Sequence, residues 1–195
     1  MTPFTPTTNG AYVITRRKFA RGSLLVLNQD YLWQIESGVV RTMTWREDGT
    51  CITFGLWGPG DLVGRAISKA DPYQIECLSD LEATLLPASR WYQATDAMLL
   101  HMQRLGEFLE IVHSKPIETS LLLLISWLGK RFGREVEQGQ IIDLRLTHQQ
   151  MAEIVGSSRV TVTRILNNFE KQGIIERVHR KLVVVQEPSL WHYEI

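Results

Sequence analysis

The 195-residue chain balances 21 basic against 21 acidic side chains, and 44% hydrophobic with 22% charged content suits one large folded domain or two small ones. Its 2 cysteines, Cys51 and Cys77, lie far apart with no CxxC, which excludes a cysteine-built zinc or iron–sulfur site and fits free thiols in a reducing compartment. MTPFTPTTNG has no leader character and no apolar run exceeds Leu121 to Ile125, so a cytoplasmic protein without a membrane partner is expected.

Residues 1–10 are rich in Thr and Pro and read as loosely attached. From Ala11 to about Pro87 the segments YVITRRKF, SLLVLN, YLWQIESG, VVRTMTW, CITFGLW, YQIECLS and LEATLLP each have strand length. Turn residues separate them at Arg21-Gly22, Asn28-Gln29-Asp30, Ser37-Gly38, Asp48-Gly49 and Gly58-Pro59-Gly60-Asp61. Asp48-Gly49 is the strongest hairpin signal. Short strands in such close succession predict a sandwich or barrel. All 5 histidines (His101, His113, His148, His179 and His192) lie beyond residue 100, so this strand domain offers no imidazole to a metal. Nor does it hold a Ser/His/Asp or Cys/His set. No catalytic residue, metal or cofactor is expected, and the chain is not read as an enzyme.

From Ala94 to Val112 the pattern turns helical. Met98, Met102, Leu105, Leu109 and Val112 form a heptad seam, widened by Leu99, Phe108 and Ile111. Such a seam fits either a core helix within one subunit or a dimer helix. Ser114-Lys115-Pro116 interrupts the helix, because proline disfavours helical geometry in the residue before it, and is the expected hinge. A second helix, Ile117 to about Phe132, is apolar nearly all round and therefore buried. Gly133 stops it, EVEQGQ reads as a turn, and IIDLRL reads as a strand.

The most informative stretch follows. Thr147 caps a helix and Gln150 completes a capping box, with Met151, Ile154 and Val155 on the buried face. Ala152 is small where two helices would cross, and Gly156 suits a left-handed turn. Ser157 or Ser158 then caps a second helix that carries Val162, Ile165, Leu166 and Phe169 inward and ends at Gly173. Arg159, Val160, Thr163 and Arg164 are left on the outer face. This is a helix-turn-helix with its second helix free to enter a major groove. IIERVHRKLVVV adds a hairpin turning at His179-Arg180, which makes the module a winged helix. Between Arg145 and Lys181 there are seven bases and three acids, a net charge of +4 in a chain whose total is zero. That local polarity predicts DNA as a partner. Since one winged helix reads one half-site, pairing two through the 94–112 helix favours the dimer reading of the seam.

The order of these parts, with the motifs LWQIESGVVR, GPGDLVG and LTHQQMAEIVGSSRVTVTRIL, resembles the CRP/FNR superfamily of bacterial transcription factors over nearly the whole chain. The last motif is the most specific and is similar to the nitrogen-control (NtcA-type) branch. The resemblance implies an α+β fold: a cyclic-nucleotide-binding-like β-roll (11–93), a dimerisation helix (94–114) and a C-terminal winged helix-turn-helix (115–195). It also implies a homodimer on a palindromic, GTA…TAC-like promoter site and an activator's contact with RNA polymerase. Departures concern the effector. Gly64-Arg65 stands where cyclic-nucleotide binders carry Gly-Glu, and Asp71-Pro72-Tyr73-Gln74-Ile75 lacks their phosphate-clamping arginine. Convincing counterparts of the 2-oxoglutarate arginines and the four-cysteine cluster are missing too. Arg65 is the one weak effector-binding candidate.

Arg159 and Arg164 are expected to reach base edges, where a guanidinium grips guanine O6 and N7, and Val160 to meet a thymine methyl. Thr147, His148, Ser158, Thr161, Thr163, Arg180 and Lys181 are expected on the DNA backbone. Alternatives are a regulator controlled by its abundance alone, or a small-molecule sensor with secondary DNA binding.

Overall fold

The computed structural model describes residues 15–179 and 181–185. Arg180 and parts of both outer domains, residues 11–14 and 186–195, therefore lie outside the described residues.

The N-terminal strands are β1 (Arg16–Phe19), β2 (Tyr31–Ser37), β3 (Val40–Trp45), β4 (Cys51–Trp57), β5 (Leu62–Val63), β6 (Gln74–Cys77) and β7 (Leu81–Pro87). They form two antiparallel sheets, ordered β1-β7-β2-β5 and β4-β3-β6. Trp33 and Ile35 of β2, Val40 of β3, Trp57 of β4, Ile75 of β6 and Ala83 of β7 fill the space between them. Leu32 points to the other face of β2 and packs with Leu62 and Ala94. The β3–β4 hairpin turns at Asp48-Gly49 as expected, with Gly49 at φ 80° and the Asp48 carboxylate accepting from Thr50 N at 2.8 Å. At Gly38 (φ 87°) a Cβ would stand 2.2 Å from the Asp80 carbonyl oxygen, so only glycine brings these two turns together.

One expected strand is absent. SLLVLN touches the sheet through Leu24 opposite Glu76 and through backbone bonds from Gly22 to Leu25, then leaves it. The carbonyl of Val26 accepts from Trp33 Nε1 at 3.0 Å and from the Tyr31 hydroxyl at 3.3 Å, so side chains occupy the acceptor a ladder would need.

After a 3-10 turn over Ala88–Ala94, the described residues hold four α-helices: α1 (Thr95–His113), α2 (Ile117–Phe132), α3 (His148–Val155) and α4 (Arg159–Lys171). Between α2 and α3 lie β8 (Gly133–Val136) and β9 (Gly139–Ile142), and β10 (Ile175–Val178) and β11 (Lys181–Val185) form the wing. The sheet order is β10-β11-β9-β8. Four of the six residues of EVEQGQ are thus strand rather than turn, because Glu135 and Val136 pair with Gln140 and Gly139. IIDLRL keeps strand geometry only to Ile142. Asp143 instead turns its carboxylate to Arg134 and Lys181, while Leu144 and Leu146 bury themselves among the helices.

The Ser114–Pro116 break does not separate two cores. Val39, Leu56 and Leu78 of the β region share one apolar cluster with Phe108 and Ile111 of α1, Leu121, Leu124 and Leu128 of α2, and Met151, Val155 and Phe169 of the helix-turn-helix. Asp61, 0% exposed in the glycine turn, accepts from Gly58 N at 2.8 Å, from Arg104 of α1, and from Arg131 of α2 at 2.9 Å. One carboxylate therefore fastens both helices to the roll. Arg131 also lies over the rings of Trp127 and Phe132, whose centroids are each 5.1 Å from its guanidinium carbon.

Replacing Asp61 by Ala leaves two part-buried guanidinium groups facing each other. Loss of about 3–5 kcal/mol of unfolding free energy is expected, read as a lowered urea midpoint at unchanged slope.

Candidate nucleic-acid interface

The local sequence of the helix-turn-helix dictates its geometry. Thr147 Oγ1 accepts from Gln150 N at 3.1 Å while the Gln150 side chain accepts from Thr147 N at 2.9 Å, the expected capping box. Gly156 at φ 65° ends α3 in the left-handed conformation and turns the chain. Of the two candidate serines, Ser158 caps α4, accepting from Thr161 N at 3.1 Å. Ala152 lies at 1% exposure, and Val162, Ile165 and Leu166 are buried against α3.

The outer face of α4 is left open. Val160 is 79% exposed, and Arg159 and Arg164 flank it in solvent. Among the described residues neither arginine has an acidic partner. A shallow groove runs along this face over Arg159, Val160, Thr163 and Arg164 and continues to Asn167, Asn168 and Lys171. Sequence reasoning does not single out these last three. A signal for them exists, since Asn167 and Lys171 lie one and two turns beyond Thr163.

The expected backbone contacts divide. Thr147 and Ser158 have oxygens engaged in caps, and Thr161 shares its hydroxyl with Ser158 at 2.9 Å. The Thr163 hydroxyl donates to the Arg159 carbonyl at 2.8 Å and so accepts from the His148 ring at 2.8 Å. His148 therefore ties the start of α3 to the middle of α4. Its Nδ1 carries the proton in that arrangement. Burial, then the nearby Arg177 and Arg159, hold the His148 pKa below its ordinary value. Lys181, expected on the DNA backbone, has its Nζ 2.6 Å from Asp143 Oδ1. Hydrogen bonding to Lys181 in turn holds Asp143 below the usual carboxylate range. Arg177 is similarly engaged, 3.1 Å from Glu170 and 2.9 Å from Asn167.

The expected seam of α1 is split by the structure. Met98 packs with the Leu32–Leu62 cluster, Leu105 with the roll interior and Val112 with the helical core, all within the same chain. Met102 (69% exposed) and Leu109 (46%) face outward together with Leu99 (55%). The outward stripe thus runs Leu99, Met102, Gly106, Leu109. It is displaced from the expected one because Met98, Leu105 and Val112 already pack against the roll and the helical core.

Arg65 donates to the Ala70 carbonyl within its own loop. Tyr73 is buried beneath it at 7% exposure, and burial pushes its phenol far above the ordinary range. Among the described residues no group of three or more His, Cys, Asp or Glu is placed to hold a metal ion, and no helix is long and apolar enough to cross a membrane.

The family profile described as the Crp-like helix-turn-helix domain matches residues 120–193. The chain is 39% identical over 191 residues to the regulatory protein CysR of Synechococcus elongatus, covering 95% of this chain and 91% of that one. It is 35% identical over 80 residues to the global nitrogen regulator of Nostoc sp., covering 41% of this chain and 35% of that protein. Among solved structures, a CRP-family transcriptional regulator of Thermus thermophilus matches with a TM-score of 0.76 at 20% identity, over 89% of this chain and 94% of that one.

The depressed His148 pKa has a sign that can be tested. The unfolded chain, with an imidazole near 6.5, binds the proton first, so this contribution is full above about pH 6.5 and lost as pH falls through the folded value. His101, stacked on Trp57 at 3.8 Å and also depressed by burial, adds a second contribution of the same sign. The midpoint of thermal unfolding should fall from pH 7.5 to pH 5.5, and fall less in His148→Gln, which retains only the His101 part.

Proposed function

Since the chain belongs to the CRP/FNR superfamily of transcription regulators, near its nitrogen-control branch, we propose that it binds a palindromic promoter site as a homodimer and activates transcription in contact with RNA polymerase. The observation that carries the reading is the open face of α4, where Arg159 and Arg164 flank the exposed Val160 without acidic partners among the described residues. Charged groups free of internal partners break no ion pair when they turn to base edges, so only hydration and side-chain freedom are given up. In this reading Arg159 and Arg164 grip guanines and Val160 meets a thymine methyl. Thr147, His148, Ser158, Thr161, Thr163 and Arg180 set the register on phosphates. Lys181 contributes less than a free lysine would, because it shares its charge with Asp143.

The dimer is assigned to the outward stripe Leu99, Met102 and Leu109 on α1, which exposes large apolar groups that a helix from a second copy would cover. Control by a small effector is assigned to the β-roll. A second reading, control by abundance alone, is favoured by Arg65 being tied to Ala70 and by the aromatic filling of the roll around Trp33, Trp57 and Tyr73.

A binding selection on randomised palindromes tests the placement of α4. Wild type is expected to select GTA…TAC half-sites about 34 Å apart. Val160→Glu offers a carboxylate that accepts from cytosine N4, and should shift the preference toward GTG by ~1–3 kcal/mol per symmetric position. Selection of the same base by both proteins would displace Val160 from that step. For the dimer, Leu109→Glu is the informative change, since Leu105 supports its own roll. Charge in a dry seam is costly, so the variant should scatter light as a monomer at micromolar concentration, with palindrome binding weakened in parallel.

A further inference from the structure

Arg41 lies on β3 at 4% exposure, among the few charged side chains buried in the described structure. It stands directly opposite Glu76 in the β3–β6 ladder. Glu76 Oε2 accepts from both Arg41 Nε at 3.1 Å and Nη2 at 2.8 Å, which fixes the plane of the guanidinium. Nη1 remains, and it is aimed out of the roll at α3, where Glu153 Oε2 accepts at 2.6 Å. The other Glu153 oxygen accepts from Gln149 at 3.0 Å, so the carboxylate is held on its own helix as well.

The surrounding contact between α3 and the roll is apolar and therefore non-directional, since such surfaces tolerate sliding and rotation. A charge-assisted bond of 2.6 Å does not. Within the helix-turn-helix, α3 and α4 share a core, so whatever orients α3 orients α4. The outward stripe of α1 is fixed to the same roll through Arg104 and Asp61. We propose that Arg41 and Glu153 are positioning residues for DNA binding: Glu76 holds the guanidinium, the guanidinium holds Glu153, and this contact sets the angle at which α4 is presented relative to the dimer stripe. A second tether, Arg21 Nη2 to the Arg145 carbonyl at 2.9 Å, restrains the segment entering α3 but grips only backbone. The proposal rests on the homodimeric reading above for its consequence on DNA, though not for the orientation itself.

Glu153→Ala is the informative variant, because Arg41 keeps Glu76 and no charge is orphaned in the roll. On a palindrome of the selected spacing it should bind about tenfold more weakly than wild type, while binding to an isolated half-site stays within about twofold. Its affinity profile across palindromes with one base pair inserted or removed between half-sites should be flatter than that of wild type. Glu153→Gln, whose amide oxygen can still accept from Nη1, should recover part of both effects. A contact that merely stabilised the fold would lower the unfolding midpoint without altering the spacing profile. In parallel, nitroxide labels at Val26→Cys and Gln172→Cys, with Cys51 and Cys77 replaced by Ala, report the roll-to-α4 distance. That distribution should broaden in Glu153→Ala. An unchanged palindrome-to-half-site ratio and spacing profile in Glu153→Ala would overturn the proposal. If wild type itself does not prefer a palindrome over a half-site, the dimeric reading fails, and the label distances alone decide. Equal widths in the two proteins would then overturn it.

Discussion

Asp61 is the point on which the arrangement turns. A carboxylate at 0% exposure is tolerable only if its lone pairs are taken, and here a backbone amide and two arginines take them. Because those arginines come from α1 and α2, satisfying one buried charge fixes two helices that sequence alone leaves adjustable. The stripe on α1 faces outward because Arg104 is turned in. Likewise α2 can serve as the floor of the helix-turn-helix because Arg131 pins its C-terminal end beneath the glycine turn. The roll, the long helix and the DNA-binding unit are thus assembled around a charge rather than simply around a greasy interface.

The distribution of acids is as informative as that of bases. Glu153 is drawn off to Arg41 and Glu170 to Arg177, so two of the three acids between Arg145 and Lys181 already have cationic partners. Asp143 draws Lys181 and Arg134 toward the base of the wing. The positive potential therefore concentrates along α4, where Arg159, Arg164 and Lys171 line one groove, rather than spreading evenly over the module. A surface of this kind attracts a phosphate backbone without a net charge on the protein.

Local features are legible wherever a short-range rule decides them. Thr147–Gln150, Gly156 and Ser158 announce caps and a left-handed turn within a few residues, and the structure has each of them. Asp48-Gly49 announces its hairpin in the same way. Expectation fails where partners distant in sequence decide. The segment around Val26 has strand-like residues, but side chains of β2 claim its carbonyl, and nothing local signals that. The heptad pattern on α1 marks five residues alike, but Met98 and Leu105 pack on the roll and Val112 on the helical core, surfaces the pattern does not contain. Arg41 and Glu153, 112 positions apart, look like ordinary surface charges until the fold brings them together.

The apolar cluster that unites Val39, Leu56 and Leu78 with the helix-turn-helix bears on how such a chain can change over generations. A DNA-binding module joined by a bare tether can be exchanged between regulators like an interchangeable part. Here the module's underside is completed by three side chains of the roll, so a graft cut at residue 115 would carry away half of a matched surface. The exposed positions of α4, where Val160 touches little of its own chain, can change without disturbing that surface. Exchanging the whole domain would leave that apolar surface unmatched, whereas a substitution on the open face of α4 would leave it intact.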